Sequence, residues 1–355
     1  MLSDPIAPFV RLAELAAPCR TALLLLCCAL LGAAGGWLIA TVPFRKKLMD
    51  APNARSSHTI PTPRGGGVGI LAAFTLAGLT LRIPATFLSA AILISAVSFY
   101  GDYVRISVRL RLALQTVCGV IFLLPLLTGA NAALSPFLAG LPPFVVIPAA
   151  ALTFLFVIGT ANFFNFMDGI DGIAGLSGAI GFGLLGLFGI LHFPGDSLRT
   201  SLSLLAVCVS LACLGYLPFN MPRARVFMGD VGSILLGFVF AGLAVLLSRN
   251  WLETACFASL LFPFYADELT TIVVRVRDRE NLFRPHRRHL YQILANELGV
   301  AHWIVAAFYG AAQLIVGLAA LAACSRGAWP LLILLASCFA FFIALTAHVR
   351  RIVRS

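Results

Sequence analysis

The chain has 355 residues, of which 60% are hydrophobic and only 11% are charged. Because a soluble domain usually has about 25% charged residues, this composition excludes an ordinary water-soluble enzyme and predicts an all-α, polytopic transmembrane helical bundle. The formal net charge of +11 could also indicate a nucleic-acid-binding protein. A membrane protein more often owes such a charge to cytoplasmic loops that face anionic lipid, so we expect membrane lipid, and no nucleic acid, as a partner.

Runs of about 17–25 apolar residues predict membrane spans, and the sequence contains about eleven of them. The second is the shortest and is rich in glycine. No stretch between the apolar runs is long enough to fold alone, so we treat residues 1–355 as a single integral membrane domain. The predicted spans cover residues 21–44, 67–81, 84–100, 112–128, 143–161, 170–193, 201–219, 231–247, 251–274, 301–324 and 329–349.

The distribution of basic residues orients these spans. If the N-terminus is outside, 19 of the 25 lysine and arginine residues fall in loops on the cytoplasmic side. Such an asymmetry is what the positive-inside rule requires, and an odd number of spans then places the C-terminus in the cytoplasm.

Five polar segments contain nearly all the reactive side chains, and this orientation places all five on the cytoplasmic side. A transporter would need polar groups deep within its spans and on both sides of the membrane. A lipid-binding scaffold without activity would need no paired carboxylates. The pattern therefore indicates an enzyme at the inner membrane surface. The segments cover residues 50–67, 101–111, 162–172, 225–233 and 278–292.

The segment "NFFNFMDGIDG" (162–172) contains two carboxylates, Asp168 and Asp171, at a predicted span boundary. The glycine after each carboxylate would let a bulky ligand approach the backbone. Carboxylates together with the amide oxygens of Asn162 and Asn165 suit Mg²⁺, a hard cation that keeps several waters. The alternative is that an aspartate only caps the sixth span.

Three further segments add charge to the same side. In "FMGDVGS", Asp230 lies between two glycines and opens the eighth span. The "RGGG" turn that begins at Arg64 precedes a helix, a place where backbone N–H groups can hold phosphate. The segment "RPHRRH" supplies guanidinium and imidazole groups that suit phosphate oxygens, although such a loop could simply contact lipid headgroups.

These groups together indicate a reaction between two anionic substrates, one of them a lipid. Coulomb repulsion opposes bringing two phosphates together, and Mg²⁺ with arginine side chains neutralises it. The sequence therefore points to phosphoryl transfer onto a lipid phosphate or alcohol.

The motifs resemble those of the polyprenyl-phosphate N-acetylhexosamine-1-phosphate transferases of glycosyltransferase family 4. That superfamily includes phospho-N-acetylmuramoyl-pentapeptide transferase and the initiators of O-antigen synthesis. "NFFNFMDGIDG" fits the pattern N-x-x-N-x-x-D-G-x-D-G, and "FMGDVGS" fits M-G-D-x-G-S. "RSSHTIPTPRGGG" and "RPHRRHLYQ" are similar to the bacterial subgroup that acts on nucleotide-sugar precursors of surface polysaccharide. The resemblance covers about residues 37–295.

The resemblance implies that undecaprenyl phosphate attacks the β-phosphorus of a UDP-N-acetyl sugar, so that UMP leaves and an undecaprenyl-diphospho-sugar forms. It implies a requirement for Mg²⁺, with Mn²⁺ as an alternative, and a location in the bacterial inner membrane. The sequence leaves open which N-acetylated sugar is used, which polysaccharide is made, and whether the protein is a monomer or a homodimer.

Carried over by position, the resemblance gives each motif residue a role. Asp230 would be the principal metal ligand, with Asn165 as a helper. Asp102, Asp168 and Asp171 would be the catalytic carboxylates. The substrate-binding residues would be Asn162, Asn165, Arg55, His58, Arg64, His286, Arg287, Arg288 and His289.

One position departs from the family, which usually has an Asp-Asp pair at the end of the third span. Here Gly101 takes the first position and Asp102 the second. The base that would deprotonate the lipid phosphate is then Asp102, or no base is needed, because a phosphate monoester has its second pKa near ~6. A catalytically impaired lipid-binding paralogue is the alternative.

Two other possibilities stay open at this point. Another membrane phosphotransferase on a lipid acceptor, such as a phosphatidyl-alcohol transferase, would usually show a D-G-x₂-A-R motif, which the sequence lacks. Asp267 and Glu268 lie in the inner half of the ninth span near Arg275, and we expect them to form a structural ion pair there rather than to contact substrate.

Overall fold

The computed structural model describes residues 7–41, 48–52, 57–104, 106–128, 142–281 and 286–354, and these are overwhelmingly helical. The longer helices are α1 (Ala7–Thr41), α2 (Val68–Thr80), α3 (Ala85–Tyr103), α4 (Val108–Leu127), α5 (Pro143–Met167), α6 (Ile173–His192), α7 (Ser197–Asn220), α8 (Asp230–Leu247), α9 (Trp251–Ala258), α10 (Phe262–Arg277), α12 (His302–Cys324) and α13 (Ala328–Arg354), with the short α11 (Leu290–Gln292) before α12. The prediction of an all-α, polytopic membrane protein is confirmed.

Within the described residues, ten helical stretches are long and apolar enough to cross a membrane. Helices α9 and α10, joined by a 3₁₀ turn at Ser259–Leu261, form one of these stretches. The second of the eleven predicted spans corresponds to α2, which has only 13 residues. At a rise of 1.5 Å per residue α2 is about 20 Å long, which is shorter than the ~30 Å hydrocarbon core.

Helix α8 forms the centre of the bundle. In its membrane-spanning window 94% of the residues are buried, as expected for a helix that is hydrophobic on every side. It packs against α3 and α5. A Cβ on Gly237 would lie 2.5 Å from the Thr160 carbonyl oxygen, so glycine lets α5 and α8 approach closely.

One end of the bundle gathers the polar segments. Helices α3, α5 and α7 end there, and α4, α6, α8 and α12 begin there. The loop between α1 and α2 contributes two short antiparallel strands, β1 (Met49–Asp50) and β2 (Thr62–Pro63). A further bridge joins Arg64 to Phe227, which fixes this loop against the segment that leads into α8.

Candidate active site

A cleft of about 270 Å³ opens at this polar end of the bundle. It is formed by helix ends, the α5–α6 loop and the β1–β2 loop, so residues from distant parts of the sequence meet in it. The described lining residues are Asp50, Ser57, His58, Arg64, Asp102, Asn165, Asp168, Gly169, Ile170, Asp171, Asn220, Phe227, Gly229, Asp230, Gln292 and His302.

Asp230 is the first residue of α8, where the helix dipole favours a negative charge. Its Oδ1 accepts a hydrogen bond from Asn165 Nδ2 at 2.9 Å, and its Oδ2 pairs with Arg111 Nη1 at 2.7 Å. The same Asn165 nitrogen donates to Ser233 Oγ at 2.8 Å. These contacts fix the orientation of the Asp230 carboxylate, and they leave the Asn165 amide oxygen available in the cleft.

Asp102 caps α8 from the end of α3. Its Oδ1 accepts from the backbone N–H of Asp230 at 3.3 Å, and its Oδ2 accepts from that of Val231 at 3.2 Å. The side chain is only 1% exposed, with Arg64 Nη1 3.8 Å away. Both oxygens therefore hold the N-terminus of α8, which is a positioning role for the residue that the sequence offered as a base.

Gly101, the departure from the family pattern, does not line the cleft. A Cβ at this position would lie 3.3 Å from the Ile106 side chain. A side chain at this position would therefore begin against Ile106.

The "RGGG" turn does not offer its N–H groups to a phosphate as we expected. The backbone N–H groups of Gly65 and Gly66 donate to the Phe227 carbonyl, and that of Gly67 donates to the Met228 carbonyl, at 2.9–3.1 Å. The turn is thus docked on the segment that carries Asp230. Gly229 is required at this contact, because its φ is +76° and a Cβ would lie 2.7 Å from Asp102 Oδ2.

The carboxylate of Asp168 makes no hydrogen bond or ion pair with any residue that the structure describes. Burial raises the pKa of Asp168 well above its usual value, and the negative charges of Asp230, Asp102 and Asp171 raise it further. A half-buried acid without a partner, surrounded by other acids, is a group that a cation would stabilise.

Asp171 pairs with a residue that sequence reasoning missed. Its Oδ2 lies 3.2 Å from His302 Nδ1, and His302 also lines the cleft. The two residues are 131 positions apart, and His302 belongs to none of the motifs, so the sequence offered no signal for it.

Gly169, which follows Asp168, makes room for a side chain of the protein and not for a ligand. A Cβ on Gly169 would lie 2.1 Å from the Tyr291 hydroxyl, which donates to the Phe166 carbonyl at 2.9 Å. Our expectation that this glycine admits substrate is therefore corrected, because Tyr291 occupies the space.

The segment "RSSHTIPTPRGGG" supplied three predicted substrate-binding residues. His58 and Arg64 line the cleft, where His58 packs edge-on against Phe227 and Arg64 pairs with Asp50 at 2.7 Å. Arg55 lies outside the described residues.

Asn162 does not reach the cleft. Its Nδ2 donates to Gln115 Oε1 and to the Ile158 carbonyl, both at 2.8 Å. The structure therefore does not support its predicted contact with substrate, because its amide joins α5 to α4.

The "RPHRRH" segment (the basic arm, 284–289) is described from His286 onward and lies beside the cleft rather than in it. His289 is 2% exposed and lies between Asp267, at 3.6 Å, and Glu268, at 3.4 Å. Burial opposes a charge on the imidazole, but the negative charges of Asp267 and Glu268 beside it outweigh burial and raise the pKa of His289. His289, which we predicted to bind substrate, is therefore a buried residue of the protein interior.

The same contacts give Asp267 and Glu268 the structural role that we expected, with His289 as their partner. Asp267 accepts hydrogen bonds from the Leu290 backbone N–H at 2.8 Å and from the Tyr309 hydroxyl at 2.6 Å. Arg275 instead pairs with Glu280 at 3.2 Å. Asp267 therefore anchors the end of the basic arm.

His286, Arg287 and Arg288 line a separate depression of about 670 Å³. Arg288 forms ion pairs with Asp278 and, at 2.9 Å, with Glu280. Burial and the nearby positive charges, His289 first among them, lower the pKa of His286 to about 4. The role of these three residues in substrate binding stays a prediction.

A divalent cation fits the donors of the cleft only if the substrate completes its coordination. Among the described residues no three His, Cys, Asp or Glu side chains form a metal-binding group. Mg²⁺ usually takes one or two protein carboxylates together with water and substrate phosphates. Asp230, the unpartnered Asp168 and the amide oxygen of Asn165 meet that smaller requirement.

The fold and the cleft define a class of protein, a multi-pass membrane protein with a carboxylate-lined polar cleft at one end of its helical bundle. The family model described as Glycosyl transferase family 4 matches residues 84–248. A decaprenyl-phosphate N-acetylglucosaminephosphotransferase from Mycobacterium leprae is 30% identical over 321 residues, which cover 78% of this chain and 79% of the relative. The chain therefore belongs to glycosyl transferase family 4, the superfamily of polyprenyl-phosphate N-acetylhexosamine-1-phosphate transferases, and is a glycosyl-1-phosphate transferase.

Two further relatives represent other branches of the same superfamily. An undecaprenyl-phosphate alpha-N-acetylglucosaminyl 1-phosphate transferase from Thermotoga maritima is 28% identical over 258 residues, with 72% of this chain and 76% of the relative covered. A phospho-N-acetylmuramoyl-pentapeptide-transferase from a Synechococcus species is 34% identical over 138 residues, with 37% of this chain and 38% of the relative covered.

Proposed function

We propose that the protein transfers an N-acetylhexosamine 1-phosphate from a UDP-sugar to undecaprenyl phosphate at the cytoplasmic face of the bacterial inner membrane. The product would begin a cell-surface polysaccharide such as O-antigen. The main support is that Asp168, Asp171 and Asp230 line one cleft with His58 and Arg64. Relatives that share about three quarters of the chain are named for the same type of transfer.

In the proposed reaction an oxygen of the lipid phosphate forms a bond to the β-phosphorus of the UDP-sugar. The bond from that phosphorus to the bridging oxygen breaks, and UMP leaves with the electron pair. The acceptor needs no strong base, because a phosphate monoester with a second pKa near ~6 is largely dianionic at pH 7. This agrees with an Asp102 whose oxygens both cap α8.

The residues around Asp230 would prepare the site for a divalent cation. Asp230, Asn165 and Asp168 would hold Mg²⁺, which when bound would neutralise the charge of the diphosphate. Arg111 and the Asn165 amide nitrogen keep the Asp230 carboxylate in one orientation. Since the pKa of Asp168 is raised, a cation that favours its ionised form would release a proton on binding.

The proposal is tested by incubating the purified full-length protein with undecaprenyl phosphate and each of several UDP-N-acetylhexosamines, and measuring UMP. We expect UMP only when both substrates and Mg²⁺ are present, and more from an N-acetylated sugar than from UDP-glucose. Release of UMP with a lipid alcohol but not with undecaprenyl phosphate would favour the other class of phosphotransferase. No release with any donor would support an impaired paralogue.

A further inference from the structure

A second cavity, of about 650 Å³, lies between α10 and the part of α13 from Phe339 to Arg351. Its volume is in the range of sites that bind small molecules. We call it the α10–α13 groove. None of its described lining residues belongs to the cleft. They are Leu269, Thr270, Val273, Val274, Arg277, Asp278, Phe339, Ile343, Thr346, Ala347, Arg350 and Arg351.

Two contacts of α13 flank the groove. Phe339 meets Phe262 of α10 edge-on with ring centroids 4.9 Å apart, and Val349 belongs to the same small buried cluster as Ile293, which follows α11. Between these contacts the walls are mostly apolar. Val273 is 67% exposed and Ile343 is 51% exposed, which is expected where a membrane helix faces hydrocarbon.

The polar-end rim of the groove is basic. Arg277 and Arg351 are exposed, and neither pairs with an acid among the described residues. The acid among the described lining residues, Asp278, is already paired with Arg288. An apolar wall that ends in uncompensated guanidinium groups matches the chemistry of an anionic lipid.

We propose that the α10–α13 groove binds one anionic membrane phospholipid. The headgroup phosphate lies at Arg277 and Arg351, and an acyl chain follows the apolar wall. The resident lipid is distinct from the acceptor lipid, because the groove shares no described residue with the cleft. This binding does not depend on the proposed function.

The lipid would also support the basic arm. Arg350 Nη2 donates to the Arg288 carbonyl at 2.9 Å, so α13 is tied to the arm next to the groove. A phosphate that bridges Arg277 and Arg351 would hold α13 against α10 and keep that contact in place.

The test measures lipid binding to the delipidated full-length protein by native mass spectrometry and by thermal unfolding. Phosphatidylglycerol should bind and raise the unfolding temperature, and phosphatidylcholine should do so much less. The double variant Arg277→Gln/Arg351→Gln should lose about ten-fold or more in apparent affinity for phosphatidylglycerol, the loss expected from removing charge-assisted hydrogen bonds. Arg326→Gln should not change it, because this exposed arginine lies in the turn before α13, at the other end of that helix.

Val273→Ser, at an exposed position of the apolar wall, provides a second variant, and it should weaken both lipids without abolishing the preference between them. Equal binding of the two lipids by the wild type would overturn the proposal, and so would an equal loss in Arg326→Gln. If undecaprenyl phosphate displaces phosphatidylglycerol and needs Arg277 and Arg351 to bind, the groove belongs to the acceptor and the resident-lipid proposal is wrong.

Discussion

At the scale of single residues, the cleft is organised around one carboxylate. Asp230 has a cation on one oxygen, Arg111, and an amide donor on the other, Asn165. Asp102 accepts hydrogen bonds from the backbone N–H groups of Asp230 and Val231. Asp230 is therefore fixed in place while its side chain remains 20% exposed, which suits a residue that must meet a ligand.

Asp230→Asn should lower the rate of UMP release by about 10²-fold or more, the usual effect of losing a central electrostatic contact to a transition state. An amide is a much poorer Mg²⁺ ligand than a carboxylate. Rates and size-exclusion profiles are compared for purified variants. Asp196→Asn is the matched control, because Asp196 caps α7 at the opposite end of the bundle and asparagine caps as well as aspartate. Near-normal activity of Asp230→Asn would remove this residue from the site.

The raised pKa of Asp168 predicts a defined pH dependence. The protonated acid is favoured in the folded protein, so its contribution to stability is complete below the unfolded pKa near ~3.9. That contribution is lost as the pH rises through the pKa that Asp168 has in the folded protein. Without metal, the unfolding temperature of the wild type should therefore fall over this range more than that of Asp168→Asn.

The same pair of proteins tests the metal site without measuring activity. At neutral pH, Mg²⁺ should raise the unfolding temperature of the wild type more than that of Asp168→Asn, because only the wild type gains by exchanging a proton for the cation. Equal shifts in the two proteins, with the Asp196→Asn control behaving like wild type, would mean that Asp168 does not take part in cation binding.

Sequence motifs predicted which acids line the cleft but not every partner. Asp168, Asp171 and Asp230 lie together as their motifs indicated. Asn162 and Asn165 share a motif, yet at 100° per residue they point about 60° apart, and Asn162 meets Gln115 instead of Asp230. Such a rotation depends on tertiary packing, which spacing along one helix does not determine.

At the level of secondary-structure elements, α10 holds the C-terminal end of the basic arm. Asp267, in α10, accepts the N–H groups of Leu290 and Tyr291 at the start of α11, and His289 lies against the same acid. The pKa of His289 is raised in the folded protein. The stabilisation that protonated His289 provides is therefore complete below its unfolded pKa of about 6.5, and it is lost as the pH rises through its pKa in the folded protein.

Arg288 is expected to matter more than its neighbour in the sequence, Arg284, which lies outside the described residues. If its guanidinium binds phosphate oxygens, Arg288→Ala should lower the rate about ten- to a hundred-fold, and Arg288→Lys should restore only part of it. Arg284→Ala should lose little, because Arg284 precedes a proline that favours an extended approach. The three variants are assayed for UMP release at low and high salt.

The ion pairs of Arg288 give this experiment a second arm. In the double variant Asp278→Asn/Glu280→Gln the guanidinium loses both carboxylates and should remain active if it works on phosphate. A loss as large as that of Arg288→Ala would show that Arg288 only anchors the arm. Small, equal losses in Arg288→Ala and Arg284→Ala that salt removes would indicate attraction to lipid headgroups instead.

Apolar runs predicted the helices well, and polar segments predicted their ends less well. The fifth predicted span stopped at residue 161, but α5 continues to Met167 because Asn162 and Asn165 find partners on α4 and α8. The docking of the "RGGG" turn on Phe227 and Met228 joins segments about 160 residues apart. Composition and hydrophobic periodicity are properties of one local stretch, so they could not predict a contact between two distant segments.

At the scale of the whole molecule, the helix order places the cleft, the basic arm and the C-terminal end of α13 at the same end of the bundle. A reporter fused after Ser355 should therefore be active only in the cytoplasm, because the positive-inside rule places this basic end inside. A matched fusion in the loop after α6, beyond Phe193, should report the opposite side. A periplasmic signal from the C-terminal fusion would overturn both the predicted orientation and the proposed location of the cleft in the cytoplasm.

The central claim is that a sugar 1-phosphate, and not the sugar alone, moves to the lipid. It is tested most directly with a UDP-N-acetylhexosamine that carries a radioactive β-phosphate, incubated with purified protein, Mg²⁺ and undecaprenyl phosphate and then extracted with butanol. We expect the label to enter the lipid phase in a one-to-one ratio with UMP in the aqueous phase, and Asp230→Asn to give neither. Label that stays in the aqueous phase as UDP, with unlabelled sugar on the lipid, would contradict transfer of the sugar 1-phosphate.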